Sequence, residues 1–244
     1  MTINCNRCGR ECDADLPERV AEYFVNRGEP VPWLCSTCFE AREREDELKR
    51  KVTKREEDEW LDNAVHVAGV RPLYNLRAPI VPYVSDWLLA HTNENVLLSG
   101  ETGTGKSTSA GYLVRSLLRE KHTVGMYYLS ELLDKWRSVR CDNDHPEGIK
   151  AMFEALEDDD YIVIDECAGK TVNSDSTREF MFRFLEDITN GVCRSKVFLL
   201  GNFYTGSVAD VFGDEAPAMR RIRENFTCGR IDPKKQAVVP IFKR

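Results

Sequence analysis

The sequence predicts an α/β protein in which helices flank a parallel β-sheet, preceded by a small cysteine-rich module. Three observations support this prediction. From Asn95 onward, short apolar runs alternate with longer helix-like stretches, which is typical of parallel sheets. The first of these runs leads through a glycine-rich turn into a helix, and a later one ends in two adjacent carboxylates. Cysteines are concentrated in residues 1–40.

The composition limits the classes of function. The chain has 244 residues, 42% of them hydrophobic, which is enough for one large domain and a small one. Its net charge of -7 means that any contact with DNA requires a local basic patch. No apolar run has the length of a membrane span, and the N-terminus lacks the features of a signal peptide. We therefore expect a cytoplasmic protein whose nine cysteines bind metal or are buried, and do not form disulfides.

Residues 1–40 have the pattern of a zinc-binding module. They contain two Cys-x-x-Cys pairs, which are Cys5 with Cys8 and Cys35 with Cys38. Four thiolates from such pairs can converge on Zn²⁺, and a segment this polar buries too little surface to fold without such a staple. Cys12 either replaces one of the four or is a spare thiol, and the alternative to zinc is a set of buried free cysteines. Because four cysteines leave no coordination position open, we interpret residues 1–40 as an interaction or structural module.

Residues 41–64 mix acidic and basic side chains with few apolar ones. This pattern predicts an exposed helix with ion pairs four residues apart, and we interpret it as a linker. Prolines 72, 79 and 82 then interrupt the chain, and we place the start of the second domain, residues 65–244, at this point.

The turn after the first apolar run has the spacing G-x-x-x-x-G-K-S of a phosphate-binding P-loop. Glycines let the backbone N–H groups approach phosphate oxygens, and the following helix directs the positive end of its dipole at the same anion. Lys106 can then reach the β- and γ-phosphates, and Ser107 can bind Mg²⁺. The alternative is a glycine-rich turn with a chance lysine. The predicted binding residues of this loop are Gly100, Glu101, Thr102, Gly103, Thr104, Gly105, Lys106, Ser107 and Thr108.

Apolar periodicity and capping residues predict the remaining elements of the second domain. We expect strands over 96–99, 124–129, 161–164, 197–200 and 227–231, and helices over 106–120, 131–140, 146–156, 176–190 and 207–224, the last broken near 213–217.

Polar residues follow two of the predicted strands. Asp165 and Glu166 end one strand, at the sheet edge where ligands bind in open α/β folds. Asp165 can hold Mg²⁺ and Glu166 can act as a general base on an attacking water, unless the pair is only an acidic turn. Asn202 follows another strand and can bond a γ-phosphate or that water, or can simply form a turn.

A basic run ends the last predicted helix, with arginines at Arg220, Arg221 and Arg223. One of them can stabilise transition-state charge on the nucleotide of a neighbouring subunit. The alternative is that they are cations favoured by the helix dipole.

Together these motifs resemble those of AAA+ ATPases, in particular the DnaC/DnaI-type replicative helicase loaders and the related IstB transposition ATPases. The segment Ala68–Tyr74 is similar to the entry segment of those loaders, and Ser130–Arg140 to their helix after the second strand. The cysteine-rich front is similar to that of the DnaI branch. The resemblance covers roughly residues 65–235, and the chain ends soon after its last predicted strand, as in loaders that lack a helical lid domain.

The resemblance implies an AAA+ fold without a C-terminal lid, ATP hydrolysis with Mg²⁺, and self-association through the ATP sites. It implies that the zinc module binds a hexameric replicative helicase. It also implies that single-stranded DNA contacts Lys135, Arg137 and Arg140; the alternative is that these cations only form a solvated helix face. The resemblance further implies that the protein acts in the cytoplasm of a bacterial cell and that it is encoded either by the bacterium or by a phage. Two rival functions stay open: a transposition ATPase that presents target DNA to a transposase, and a nucleotide-gated adaptor with little hydrolysis, against which Glu166 argues.

Overall fold

The computed structural model describes residues 2–13, 36–141, 146–167, 175–203 and 216–242. The chain divides into two compact units, Met1–Glu59 and Trp60–Arg244. Helix α1 (Ser36–Val67) begins in the first unit and ends in the second. Among the described residues, no helix is both long enough and apolar enough to cross a membrane.

The first unit contains a hairpin and most of α1. Strands β1 (Thr2–Asn4) and β2 (Glu11–Asp13) pair antiparallel. The charged part of α1 is largely exposed and carries ion pairs four residues apart, such as Lys51 with Glu47 at 2.8 Å. Exposed pairs of this kind contribute only about 0.3–0.5 kcal/mol each, so they favour the helix without determining its surroundings.

The second unit is built on a six-stranded sheet with the order β4-β5-β6-β3-β7-β8. The first five strands in that order are parallel, and β8 pairs antiparallel with β7. Strand β3 lies between β6 and β7, so that Leu97 has Leu199 on one side and Cys228 on the other. The strands are β3 (Asn95–Ser99), β4 (Val124–Tyr128), β5 (Tyr161–Asp165), β6 (Lys196–Gly201), β7 (Phe226–Asp232) and β8 (Ala237–Pro240).

Helices cover both faces of this sheet. A short 3₁₀ turn, Pro72–Tyr74, follows α1. The α-helices of the described residues are then α2 (Pro82–Ala90), α3 (Lys106–Arg119), α4 (Leu129–Cys141), α5 (Pro146–Glu157), α6 (Asp175–Thr189) and α7 (Ala216–Asn225).

Each face of the sheet has its own hydrophobic core. Val96 and Leu98 of β3 belong to the core formed with α2, α3 and the end of α1, whereas Leu97 belongs to the core formed with α4, α5 and α6. All three side chains are at most 1% exposed. Burial on both faces explains why β3 is a continuous apolar run without alternation.

The predicted fold class, a mainly parallel sheet with helices on both faces, is confirmed. The five predicted strands are present with bounds shifted by at most one residue, and four of the predicted helices lie where expected. Of the fifth, the structure describes only α7, because residues 204–215 lie outside the described part. The sequence analysis did not predict β1, β2, α2 and β8. Within residues 233–242 the chain forms a turn and β8, and no helix.

The chain that follows α1 covers the outer edge of β4. The N–H of Met126 donates to the carbonyl oxygen of Ala68 at 2.6 Å. The next residue, Gly69, has φ +94°, and a Cβ atom there would lie 2.2 Å from the carbonyl oxygen of Met126. Only glycine fits this position, because a side chain would meet both the strain of positive φ and the edge of β4.

A buried cation joins α1 to α3. The Arg115 side chain, 1% exposed, donates to Asp62 of α1 and, at 3.0 Å, to the side-chain oxygen of Asn75. Asp62 also pairs with Arg77 at 2.7 Å. Because a buried charge is costly without its partner, this cluster fixes the end of α1 against α3.

We expect Asp62→Ala to lower the free energy of unfolding by roughly 3 kcal/mol, because it leaves a buried guanidinium without its carboxylate. Denaturant titration measures the change. The matched control is Glu59→Ala, which removes an exposed pair with Arg55 and should cost less than about 1 kcal/mol. Equal losses in the two variants would contradict this role for Asp62.

The ion pairs of Asp62 with Arg115 and Arg77 also predict that the stability of the fold depends on pH. Hydrogen bonds from Arg115 and Arg77 hold the pKa of Asp62 below its ordinary value. A lowered folded-state pKa means that the contribution of Asp62 is complete above about pH 4 and is lost as the pH falls through the folded-state pKa. The difference in unfolding free energy between the natural chain and Asp62→Asn should therefore shrink below pH 4.

Candidate phosphate-binding site

The glycine loop leaves the carboxyl end of β3 and enters α3 at Lys106. Gly103 and Gly105 have φ +83° and +88°, a region that favours glycine. A Cβ atom at Gly105 would lie 2.4 Å from Cγ2 of Val81, so the loop also passes close to the start of α2. The Thr104 hydroxyl closes the loop by donating to the Glu101 carbonyl at 2.8 Å.

Lys106 lies half-buried within the loop that it follows. Its Nζ donates to the carbonyl oxygens of Gly100 at 2.7 Å and Glu101 at 2.8 Å. Burial lowers the pKa of this amine, and the nearby Asp165 carboxylate opposes that effect. The loop carbonyls therefore already hold the Lys106 ammonium group in place, next to the position that an anion bound in the loop would occupy.

Asp165 ends β5 as a buried carboxylate, 1% exposed. One oxygen, Oδ1, accepts from the N–H of Glu166 at 2.8 Å, while Oδ2 is buried with no hydrogen-bond partner among the described residues. A buried carboxylate oxygen without a partner is costly, and a bound cation would satisfy it. Asp165 and the hydroxyl of Ser107 are hard oxygen ligands, so the two residues fit Mg²⁺.

Glu166 follows with a left-handed backbone, φ 59°, which is uncommon for a residue other than glycine. Its Oε1 lies 3.3 Å from the Arg71 guanidinium. The same guanidinium lies 3.3 Å from Glu131 and 3.5 Å above the ring centroid of Tyr128. The candidate base is thus held by a cation that the sequence analysis did not assign.

The glycine loop, Lys106, Asp165 and Glu166 line one cavity of about 480 Å³. Parallel strands β3, β5 and β6 all end at this edge, so their terminal residues meet there. Asn202, which follows β6, is among the lining residues, and its contact with a ligand stays a prediction. The lining residues are Tyr74, Ile80, Val81, Thr102, Gly103, Gly105, Lys106, Ser107, Thr108, Asp165, Glu166, Gly201 and Asn202.

The arginine run lies elsewhere in the chain's own fold. Arg220 pairs with Glu224 at 2.7 Å, Arg221 pairs with Glu186 at 3.1 Å, and Arg223 lies over the Phe242 ring. None of the three lines the cavity of this chain. A role on a neighbouring subunit's nucleotide stays a prediction.

The predicted DNA-contacting cations lie on α4. Lys135 and Arg137 are exposed, and Arg137 pairs with Asp134 at 3.1 Å. Arg140 belongs to α4, but its side chain lies outside the described residues.

In the first unit, three cysteines lie together. The sulfur atoms of Cys5, Cys8 and Cys38 lie within 4.8 Å of one another. Gly9, at φ 72°, donates to the Cys5 carbonyl at 2.8 Å and forms the tight turn that brings Cys8 next to Cys5. Three soft thiol ligands in this arrangement suit Zn²⁺. The predicted fourth ligand, Cys35, and the side chain of Cys12 lie outside the described residues.

Sequence reasoning missed four residues at the cavity or behind it: Arg71, Tyr74, Tyr128 and Glu131. Arg71 and Tyr74 belong to the segment Ala68–Tyr74, which resembles the entry segment of the helicase loaders, but the resemblance assigned no role to either residue. The available signal was a cation directly before Pro72 and an aromatic residue two positions after it, in a short segment with no pattern of a helix or a strand.

Comparisons with known proteins were weak at the level of sequence. No protein-family model matches the chain, and no curated protein sequence matches it. Solved structures are similar at low identity. The chain is similar to the DnaC helicase loader, with 12% identity over 61% of this chain and 86% of that one, TM-score 0.47.

Two further structures give similar values. DnaI has 14% identity over 61% of this chain and 78% of its own, TM-score 0.44. AMPPCP-bound DnaA from Aquifex aeolicus has 14% identity over 67% of this chain and 51% of its own, TM-score 0.48. At these values the comparison does not assign the chain to a family.

Proposed function

We propose that the chain is a Mg²⁺-dependent ATPase of the AAA+ type that loads a hexameric replicative helicase onto single-stranded DNA. The observation that carries the proposal is one cavity lined by Lys106 and Ser107 of the glycine loop together with Asp165 and Glu166 of β5. No other described cavity brings a helix N-terminus, a lysine and two carboxylates together.

The loop would bind the phosphates of ATP. Its N–H groups and the start of α3 suit the polyphosphate, and Lys106 would exchange its carbonyl partners for the β- and γ-phosphates. Ser107 and Asp165 would hold Mg²⁺, which would neutralise charge on those phosphates. Tyr74, Ile80 and Val81 supply an apolar wall to the same cavity.

Hydrolysis would use Glu166 as the base. The carboxylate lies next to Asp165 at the cavity, where it can accept a proton from an attacking water. Asn202 would orient that water or the γ-phosphate from the end of β6. An arginine from the run at residues 220–223 of a second copy would complete the site, which makes self-association part of the proposal.

The partner assignments rest on sequence resemblance and on the cysteine cluster. Residues 1–40 would form a zinc module, residues 41–64 a helical linker and residues 65–244 the ATPase domain. The zinc module would bind the helicase, and the exposed cations of α4 would contact single-stranded DNA. With a net charge of -7, that DNA contact is expected to be local and sensitive to salt.

We expect Lys106→Ala to abolish measurable ATP binding without unfolding the chain, because this amine is the lysine in the cavity. Isothermal titration with ATP and Mg²⁺ measures binding. Lys121→Ala, two residues beyond the C-terminal end of α3, is the matched control and should bind ATP normally. Normal binding by Lys106→Ala would contradict the site.

We expect Glu166→Gln to bind ATP but to hydrolyse it roughly 10²–10⁴-fold more slowly, the usual cost of losing a general base. Asp165→Asn should instead lose the dependence of ATP affinity on Mg²⁺. Steady-state phosphate release, together with ATP titration at several Mg²⁺ concentrations, separates the two effects. Unchanged turnover in Glu166→Gln would place the base elsewhere.

We expect about one Zn²⁺ per chain, the number for a single four-ligand site. Elemental analysis should find it in the natural chain and in Cys12→Ser, but not in Cys8→Ser or Cys35→Ser. Metal retained in Cys35→Ser and lost from Cys12→Ser would exchange the roles of these two cysteines.

The loading function is tested with the purified replicative helicase of the same host. We expect the full chain to bind that helicase and, with ATP, to speed its loading onto single-stranded DNA circles. Cys8→Ser should lose helicase binding while keeping ATP binding. Absence of helicase binding, combined with tight ATP-dependent binding to duplex DNA, would instead favour the transposition ATPase.

A further inference from the structure

Arg71 is the centre of a cluster beside the cavity. Its two terminal nitrogens lie 3.3 Å from a carboxylate oxygen of Glu166 and 3.3 Å from one of Glu131. Its Cζ atom lies over the ring of Tyr128, 3.5 Å from the ring centroid. Two ion pairs and an aromatic ring thus contact one side chain, although 43% of it is exposed.

Backbone contacts of residues 68–71 with β4 position Arg71 next to Glu166. Ala68 bonds the N–H of Met126 on the edge of β4, Gly69 turns there, and the N–H of Arg71 then donates to the hydroxyl of Tyr128 at 3.4 Å. Tyr128 pairs with Asp165 across β4 and β5. The segment therefore runs along the edge of the sheet until its cation lies next to the residue that follows Asp165.

Glu166 needs such a partner. Its backbone is in the left-handed region, and its side chain is 49% exposed. A half-exposed carboxylate without a fixed partner samples several rotamers, and a base must lie within hydrogen-bond reach of the water that it activates. Glu166 lines the cavity and Arg71 does not, so Arg71 is in position to act on a ligand only through Glu166.

We propose that Arg71 is a positioning residue that holds the Glu166 carboxylate in place for hydrolysis. This inference rests on the proposed ATPase function. Glu131 pairs with the second terminal nitrogen of the guanidinium, and the Tyr128 ring lies against the same group. Together these contacts keep the guanidinium next to Glu166. The assignment adds the entry segment to the residues that determine the rate, although this segment carries none of the motifs of the loop or of β5.

The test is a kinetic comparison of Arg71→Ala with the natural chain. We expect kcat to fall about tenfold or more, since small misplacement of a reacting group has costs of this size. KM for ATP should stay within about twofold, because Arg71 is not expected to contact the nucleotide. Arg71→Lys should recover part of kcat, since an ammonium can pair with Glu166 but cannot reproduce the fork. Arg119→Ala, an exposed arginine in the last turn of α3, is the control and should not change either constant.

A double variant decides whether Arg71 acts through Glu166. In the Glu166→Gln background, adding Arg71→Ala should lower kcat no further, because the carboxylate that Arg71 holds is already gone. Additive losses in the two variants would overturn the proposal, as would an unchanged or faster kcat in Arg71→Ala. If the natural chain binds ATP but does not hydrolyse it, the ATPase function fails and the proposal fails with it, whereas hydrolysis that ignores Arg71 removes only the proposal.

A structural readout is independent of turnover. In crystals of the nucleotide-free protein, Glu166 should occupy one conformer in the natural chain and several in Arg71→Ala. One and the same conformer in both would overturn the positioning role. Melting temperatures of all variants establish that each is folded.

Discussion

The position of β3 between β6 and β7 is the constraint on which the rest of the second unit depends. This strand is paired on both edges and buried on both faces, so it can neither shift nor fray without disturbing two cores. Pairing continues one residue further, since the N–H of Gly100 donates to the carbonyl of Gly201 at 3.1 Å. The glycine loop therefore begins level with the end of β6, and Asn202 comes to lie beside it.

The same sheet buries the carboxylate of Asp165, and burial of a charged group lowers the stability of the fold unless the group is paired. Asp165 has one oxygen without a partner among the described residues, next to the half-buried cation of Lys106. A core position would be filled at lower cost by an apolar side chain. Natural chains accept such local cost mainly at sites that bind something, which is why the orphaned oxygen of Asp165 is stronger evidence for a site than the loop spacing alone.

How much could be predicted from the sequence depended on whether the signal was local. The loop, the apolar strands and the ends of β5 and β6 could be predicted because each follows from a few consecutive residues. Helix α2 was missed because Pro82 was interpreted as a break, although proline at the first position of a helix is favourable. Strand β8 was missed because it has only four residues and lies at the edge of the sheet, so it is too short to show a periodic pattern. The pairing of Arg71 with Glu166 joins residues far apart in the chain, and no pattern in one sequence encodes it.

Lys106 connects these observations to the ligand. Its ammonium group donates to two loop carbonyls, and a phosphate would have to replace both hydrogen bonds. A phosphate oxygen carries a full negative charge where a carbonyl oxygen carries only a partial one, so the exchange is favourable for a polyanion but not for a neutral ligand. Since burial already lowers the pKa of this amine, an anion beside it would also restore the preference for the charged form. In the proposed function, the loop would thus select its ligand by charge before any contact with the nucleobase, and the apolar wall of Tyr74, Ile80 and Val81 would supply specificity for the nucleobase.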